Sequence, residues 1–329
     1  MKTSAENFLG SLDKINPENL AFLVFGNDAS LITKIEKEIF NSLKKRGVNE
    51  TINVDLKKNN RADLNGFTGA QSLFNNSKII CVSSPSDKTI DIINNTNIDG
   101  NTIIINGEGV RASSKIKKYF DTHKFFYSIS CYKITKEFKK RIIDKFISES
   151  GCKFSKDAYW FVLENSSDEY QVLENELTKF LTYSDKEITL KEIRTLSAFT
   201  KKIDFDEIFF NSVVGKHELV VNSLGRGIVS LSDAYGFLQV IKSYSKILIK
   251  TSENKDAGTN IGLLVDQHLP KYLFKQKNNF EKIVLKANLF KISKINKLIQ
   301  RSELLLRKND DKFLVIMQRF LLNYCKILK

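Results

Sequence analysis

The feature that most constrains this chain is a change of hydrophobic period near residue 132. Before it, short apolar runs bounded by polar residues or glycine alternate with amphipathic stretches. After it, apolar residues recur at three- and four-residue spacing almost to the end. The first pattern is that of strands and helices in alternation, which builds a mostly parallel sheet covered by helices. The second is that of helices packing on one another. The fold class predicted is therefore α/β plus all-α.

Five strands are expected, at Leu20–Phe25, Thr51–Leu56, Lys78–Ser83, Thr102–Asn106 and Phe125–Ser130. Between the first two, Leu31, Ile35, Ile39 and Leu43 fall at fourfold spacing on one helix face. Beyond Tyr132 the stripes include Phe138, Ile142 and Phe146, then Tyr170, Leu173, Leu177 and Phe180. Later ones run through Phe237, Ile241, Tyr244 and Leu248, through Leu289, Ile292, Ile295 and Ile299, and through Phe313, Met317, Phe320 and Tyr324. Ser166 with Glu169 and Thr189 with Glu192 fit the capping box, and Asp204 fits a cap for a helix opening at Phe205. Thr251–Gly262 is expected to be a loop. No fixed-period repeat is visible, which disfavours a solenoid.

The formal charge of +14 points to a polyanionic partner such as nucleic acid, because cations near phosphates release condensed counterions. Only nine of the 52 basic residues are arginine and asparagine is abundant, a bias expected of an AT-rich genome whatever the protein does. Placement says more than the total. From Lys271 to Lys329 there are 15 basic and 4 acidic residues, a net of +11.

Several chemistries are disfavoured. Cys81, Cys131, Cys152 and Cys325 lie far apart, and their spacing matches no zinc site, so no metal is expected and reduced thiols are. The polar N-terminus and the lack of long apolar runs argue against a leader or a membrane span, which predicts a cytoplasmic protein. The segment Gly26-Asn27-Asp28-Ala29-Ser30-Leu31 after the first strand lacks the glycines and lysine of a phosphate-binding loop. The strand Ile79–Ser83 ends without the acids that would hold magnesium. Gly107-Glu108-Gly109-Val110-Arg111-Ala112 matches the dinucleotide fingerprint letter for letter. It follows the fourth strand rather than the first, with no ribose-binding acid downstream, so a plain turn is expected there. His123, His217 and His268 are scattered among no catalytic partners. Neither catalytic residues nor a cofactor site are expected.

The most informative short segment is Ala70-Gln71-Ser72-Leu73-Phe74-Asn75-Asn76, in which two large apolar side chains sit among small and polar neighbours. Such a pair fits an exposed anchor for a partner's pocket, or simply packing into the chain's own core. Residue chemistry alone favours the core, since isolated apolar pairs are usually structural.

Three stretches resemble the delta subunit of bacterial DNA polymerase III: Leu23-Val24-Phe25-Gly26-Asn27-Asp28 with Leu31-Ile32; Gln71-Ser72-Leu73-Phe74 followed by Lys78-Ile79-Ile80-Cys81-Val82; and Leu173-Glu174-Asn175-Glu176-Leu177-Thr178-Lys179-Phe180. The last departs from the family's Glu-Lys-Leu-like pattern. The resemblance implies an AAA+-like sheet domain without a working ATP site over residues 1–132, a helical lid over 133–203 and a helical collar over 204–329. It implies a clamp-loader subunit in DNA replication that binds and opens the sliding clamp, with Leu73 and Phe74 entering the clamp's pocket beside Ser72 and Gln71. Its partners would be the clamp, the ATPase and delta-prime subunits, and primer–template DNA. The chain would be an accessory to a DNA-directed DNA polymerase, a nucleotidyltransferase, without hydrolysing nucleotide itself. Ser128-Ile129-Ser130-Cys131 lacks the arginine of an arginine-finger segment. The alternatives are a basic nucleic-acid-binding protein with no clamp role, and an enzyme with a degenerate nucleotide site.

Overall fold

The computed structural model describes residues 1–15, 20–57, 77–94, 101–183, 186–197, 201–256 and 260–328. The chain divides into two compact units, one of residues 1–142 with 167–175 and the other of residues 143–166 with 176–329.

The first unit is built on a six-stranded sheet whose described strand pairs are all parallel. In chain order its elements are β1 (Lys2–Ser4), α1 (Ala5–Ser11), β2 (Ala21–Gly26), α2 (Ala29–Lys45), β3 (Glu50–Asp55), β4 (Lys78–Ser83), α3 (Thr89–Asn94), β5 (Thr102–Glu108), α4 (Lys115–Thr122) and β6 (Phe126–Cys131). The sheet order is β1-β6-β2-β5-β4-β3, which puts β2 and β5 at the centre. All six residues of β2 are buried, as expected of a strand covered on both faces. On one face Leu23, Phe25, Ile80, Val82, Ile103 and Ile105 pack with Ile93 of α3 and Ile116 and Phe120 of α4. Side chains alternate along a strand, so Phe22 points the other way, where its ring meets Phe8 of α1 and Tyr127 of β6. The α2 stripe of Leu31, Ile35, Ile39 and Leu43 is fully buried, as its spacing predicts.

All five expected strands are present, with ends shifted by a residue or two. The edge strand β1 was not expected. It is only three residues long and has no apolar alternation; pairing with β6 through Lys2, Thr3 and Ser4 makes it a strand.

The second unit is almost entirely helical. Its elements include the C-terminal part of α5 (Lys136–Ser150), β7 (Lys153–Phe154), α6 (Lys156–Asn165), the end of α7 (Tyr170–Lys179), β8 (Glu187–Ile188) and α8 (Leu190–Leu196). The longer helices follow: α9 (Lys201–Val214), α10 (His217–Gly227), α11 (Leu231–Asp256), α12 (Ile261–His268), α13 (Lys277–Lys286), α14 (Leu289–Lys308) and α15 (Phe313–Leu328). Strands β7 and β8 form a two-stranded parallel pair that helical spacing does not reveal. The core is aromatic: Phe209 of α9 stacks on Tyr244 of α11 at 4.6 Å and meets Tyr324 of α15 edge-on at 5.6 Å.

Three local expectations are corrected. Asp204 does not open a helix; α9 already begins at Lys201, and the Asp204 carboxylate instead faces Arg194 at 3.4 Å and Arg226 at 3.7 Å. Ser166 closes α6 rather than opening α7, whereas the Thr189–Glu192 capping box forms as expected. Helix α11 runs on through Thr251 to Asp256, because Thr251 is fully buried and satisfies its hydroxyl on the Ile247 carbonyl at 2.9 Å.

Candidate functional site

The turn from β2 into α2 is where a phosphate-binding loop would sit. Gly26 has φ of +149°, and a Cβ there would lie 1.8 Å from the Cys131 carbonyl oxygen, so the turn needs glycine. The amides of Asn27 and Asp28 both donate to that same carbonyl, at 3.1 and 3.3 Å. Asp28 then caps its own helix: Oδ1 accepts from the Leu31 amide at 3.0 Å and from the Ser30 hydroxyl at 2.6 Å. Its Oδ2 accepts from the Tyr170 amide at 3.3 Å, and Ser30 Oγ accepts from the Gln171 amide at 3.2 Å.

A helix N-terminus attracts an anion because its free amides and dipole carry partial positive charge. Here Asp28, only 7% exposed, is that anion. The cavity beside it is about 350 Å³ and is lined by Asn27, Asp28, Ser30, Lys133, Glu169 and Gln171. Its two carboxylates would repel a triphosphate. The absent loop motif is thus matched by a structural replacement, which the sequence signalled only through an aspartate at an N-cap position.

The other nucleotide-like features also resolve into structure. Gly107 lies in β5, where a Cβ would meet Phe25 Cβ at 2.8 Å and the Val24 carbonyl at 3.0 Å. The Gly109 amide donates to the Gly26 carbonyl at 3.0 Å, and α4 starts after Ser114, which caps it. The fingerprint's glycines serve close strand packing and a turn. His123 stacks on Phe126 with 3.7 Å between ring centres. Among the described residues no three or more of His, Cys, Asp and Glu gather as a metal site, and no helix is long and apolar enough to cross a membrane.

A second cavity in the sheet unit, about 490 Å³, opens beside α2 and is lined by Glu36, Phe40, Asn53, Asp55, Cys81 and Asn106, among others. Burial pushes the Glu36 carboxyl up to about 7 against a hydrogen bond from Asn106. Burial, aided by the Glu36 charge, pushes the Cys81 thiol up to about 11. A nucleophilic cysteine is activated by the opposite shift.

The sequence-predicted contact residues Gln71, Ser72, Leu73 and Phe74 lie outside the described residues. The chain next to them is described: it enters β4 at Lys78, whose ammonium pairs with Glu50 at 3.0 Å and whose amide donates to Asn101 at 3.1 Å. The third resemblance stretch lies on α7 and the turn after it, with Leu173, Leu177 and Phe180 buried, as residues of a packed helix face should be.

These features define a class of fold: a six-stranded parallel-sheet module whose β2–α2 turn is closed by its own aspartate, in a chain that continues into a helical unit. No family model matches the chain. A curated protein of Rickettsia prowazekii (strain Madrid E), the probable DNA polymerase III subunit delta, is 21% identical over 305 residues, covering 89% of this chain and 91% of its own length. Among solved structures, the Bacillus subtilis DNA clamp loader delta protein matches over 98% of this chain and 99% of its own, at 12% identity and a TM-score of 0.46. Cdc6p from Pyrobaculum aerophilum matches over 66% and 73%, at 10% identity and a TM-score of 0.41. By sequence, the chain resembles DNA polymerase III delta over most of its length.

Proposed function

We propose that this chain is the delta-type subunit of a replicative clamp loader, binding and opening the sliding clamp for loading onto primed DNA. The observation that carries the reading is the sequence likeness, over 89% of the chain, to a curated probable DNA polymerase III subunit delta. The closed phosphate-binding turn supports it, because such a subunit would bind its partner without nucleotide.

Leu73 and Phe74, flanked by Gln71 and Ser72, are the proposed anchor in the clamp. Burying two such side chains is worth roughly 1.5–3 kcal/mol each before ordering costs. Binding would open the ring only through higher affinity for the open state, since a ligand shifts an equilibrium by its differential affinity alone. ATPase sister subunits and a delta-prime subunit would control exposure of the anchor, and residues 204–329 would join the collar with the lid at 133–203 between. The protein would act in the cytoplasm, without catalysis of its own.

The test is binding of the full chain to its own organism's clamp without nucleotide, for the wild type and for Leu73→Ala with Phe74→Ala. The reading expects binding that falls at least tenfold in a double variant with unchanged thermal unfolding. A wild type that fails to bind would sink it. The basic C-terminal stretch would then favour a nucleic-acid-binding protein with no clamp role.

A further inference from the structure

Helices α14 and α15 are joined by a short turn and flank a groove of about 610 Å³. Its walls carry Lys291, Lys294, Lys297 and Arg301 from α14 and Lys326 from α15. The first four recur at three- and four-residue spacing and so share one helix face, spread over about 15 Å of helix rise. No acidic residue occurs from Leu289 to Ser302 or from Phe313 to Lys329. Among the described residues none of the five cations forms an ion pair, although other lysines of the same unit do, such as Lys242 with Glu303 and Lys275 with Asp157. Lys326 also lines the neighbouring cavity with Lys282 and Lys286 of α13, so the positive strip continues across α15.

At the mouth of the groove stands Phe290, 67% exposed, with the Lys294 ammonium 4.3 Å from its ring centre. Leu298 and Ile327 are half-buried in the wall. A row of unpaired cations beside an exposed aromatic ring is the arrangement that tracks a phosphate backbone while stacking a base. Duplex DNA keeps its bases stacked inside and offers none to such a ring.

We infer that the α14–α15 groove is a binding site for single-stranded nucleic acid, with Lys291, Lys294, Lys297, Arg301 and Lys326 on the phosphates and Phe290 as the stacking platform. It rests on the reading above only for the choice of DNA over RNA. Clamp binding is measured without nucleic acid, so the two can fail separately.

The experiment is fluorescence anisotropy of the full chain with a labelled oligothymidylate of about 20 nucleotides, titrated at several salt concentrations. Lys294→Glu with Lys297→Glu should weaken binding at least tenfold and flatten the salt dependence by about 1.4 in log–log slope, for two lost phosphate contacts on a single strand. Lys118→Glu with Lys124→Glu, an exposed pair in the sheet unit, changes net charge equally and should leave binding near wild type. Phe290→Ala should weaken single-strand binding by about tenfold and leave weak duplex binding unchanged. Equal losses from both charge-reversed pairs would overturn the site, leaving only net charge. So would duplex DNA or anionic vesicles binding as tightly as the single strand, or no effect of Phe290→Ala. An oligouridylate bound equally well would keep the site and remove the preference for DNA.

Discussion

The Tyr272 hydroxyl donates a 2.7 Å hydrogen bond to the Asp206 carboxylate inside the helical unit, tying the 3-10 turn at Lys271–Gln276 to α9. Tyr244 of α11 donates to the other carboxylate oxygen, so one buried acid joins three segments. The same Tyr272 ring meets Phe161 of α6 edge-on at 5.0 Å. Lys275 pairs with Asp157 of α6 at 2.6 Å and the Lys271 amide donates to Glu164 at 3.2 Å, which fastens the turn to α6 as well.

Tyr272→Phe tests that junction. The substitution keeps the ring packing and removes one donor from a carboxylate that burial already pushes up to about 6. The expected loss is about 1–3 kcal/mol at neutral pH, read from urea unfolding followed in the helical unit. Because the variant's carboxyl is still easier to protonate and titrates above about 6, the loss should shrink as pH falls towards about 6 and be level below it. A loss of equal size at every pH would mean that packing, not the hydrogen bond, was removed.

Asp28→Ala removes the helix cap and leaves the Tyr170 amide without that acceptor. Destabilisation of about 1–2 kcal/mol is expected, with Asp28→Asn closer to wild type because its side-chain oxygen still caps. Neither variant should gain ATP binding in equilibrium dialysis, because the loop still lacks its lysine.

Gly26→Ala should cost more than about 3 kcal/mol. The new Cβ would both demand a left-handed backbone and collide with the Cys131 carbonyl, and main chain cannot move aside cheaply. Gly109→Ala is the comparison: its φ is +74° but nothing lies within 4 Å, so it should cost about 1 kcal/mol. Chemical denaturation of the two proteins separates strain from collision.

Glu36 makes the sheet unit pH-sensitive. Its folded carboxyl titrates near 7 against 4.5 for an ordinary glutamate, so the folded chain holds the proton more tightly than the unfolded one. That contribution to stability is complete below about pH 4.5, is lost as pH rises through about 7, and is flat above. Glu36→Gln should therefore stabilise by roughly 1–2 kcal/mol at alkaline pH, with the difference vanishing in mild acid. Thermal unfolding across that range measures it, and a constant difference would refute burial as the cause.

Much of the architecture was legible from local pattern. The shift from short apolar runs to helical stripes at residue 132 marked where the sheet ends, since β6 closes at Cys131. Tyr244, Leu248, Ile295, Ile299 and Tyr324 are buried as their stripes required. The short strands β1, β7 and β8 carry too few residues for a period and become strands only by finding partners. Asp204 looked like a cap for the same reason in reverse: a local rule was satisfied, but Arg194 and Arg226 claimed the side chain.

What the sequence by itself determined was the alternation of elements, the missing phosphate-binding loop and the strongly basic C-terminal helices, because period, motif and charge are properties of neighbouring residues. Tertiary structure alone decided that Asp28 would fill the empty loop by meeting Tyr170, 142 residues away, and that Asp206 would meet Tyr272. It also decided that Lys291, Lys294, Lys297 and Arg301 would share a groove with Lys326. Such encounters depend on how packed elements bring distant side chains together, and no local period encodes them.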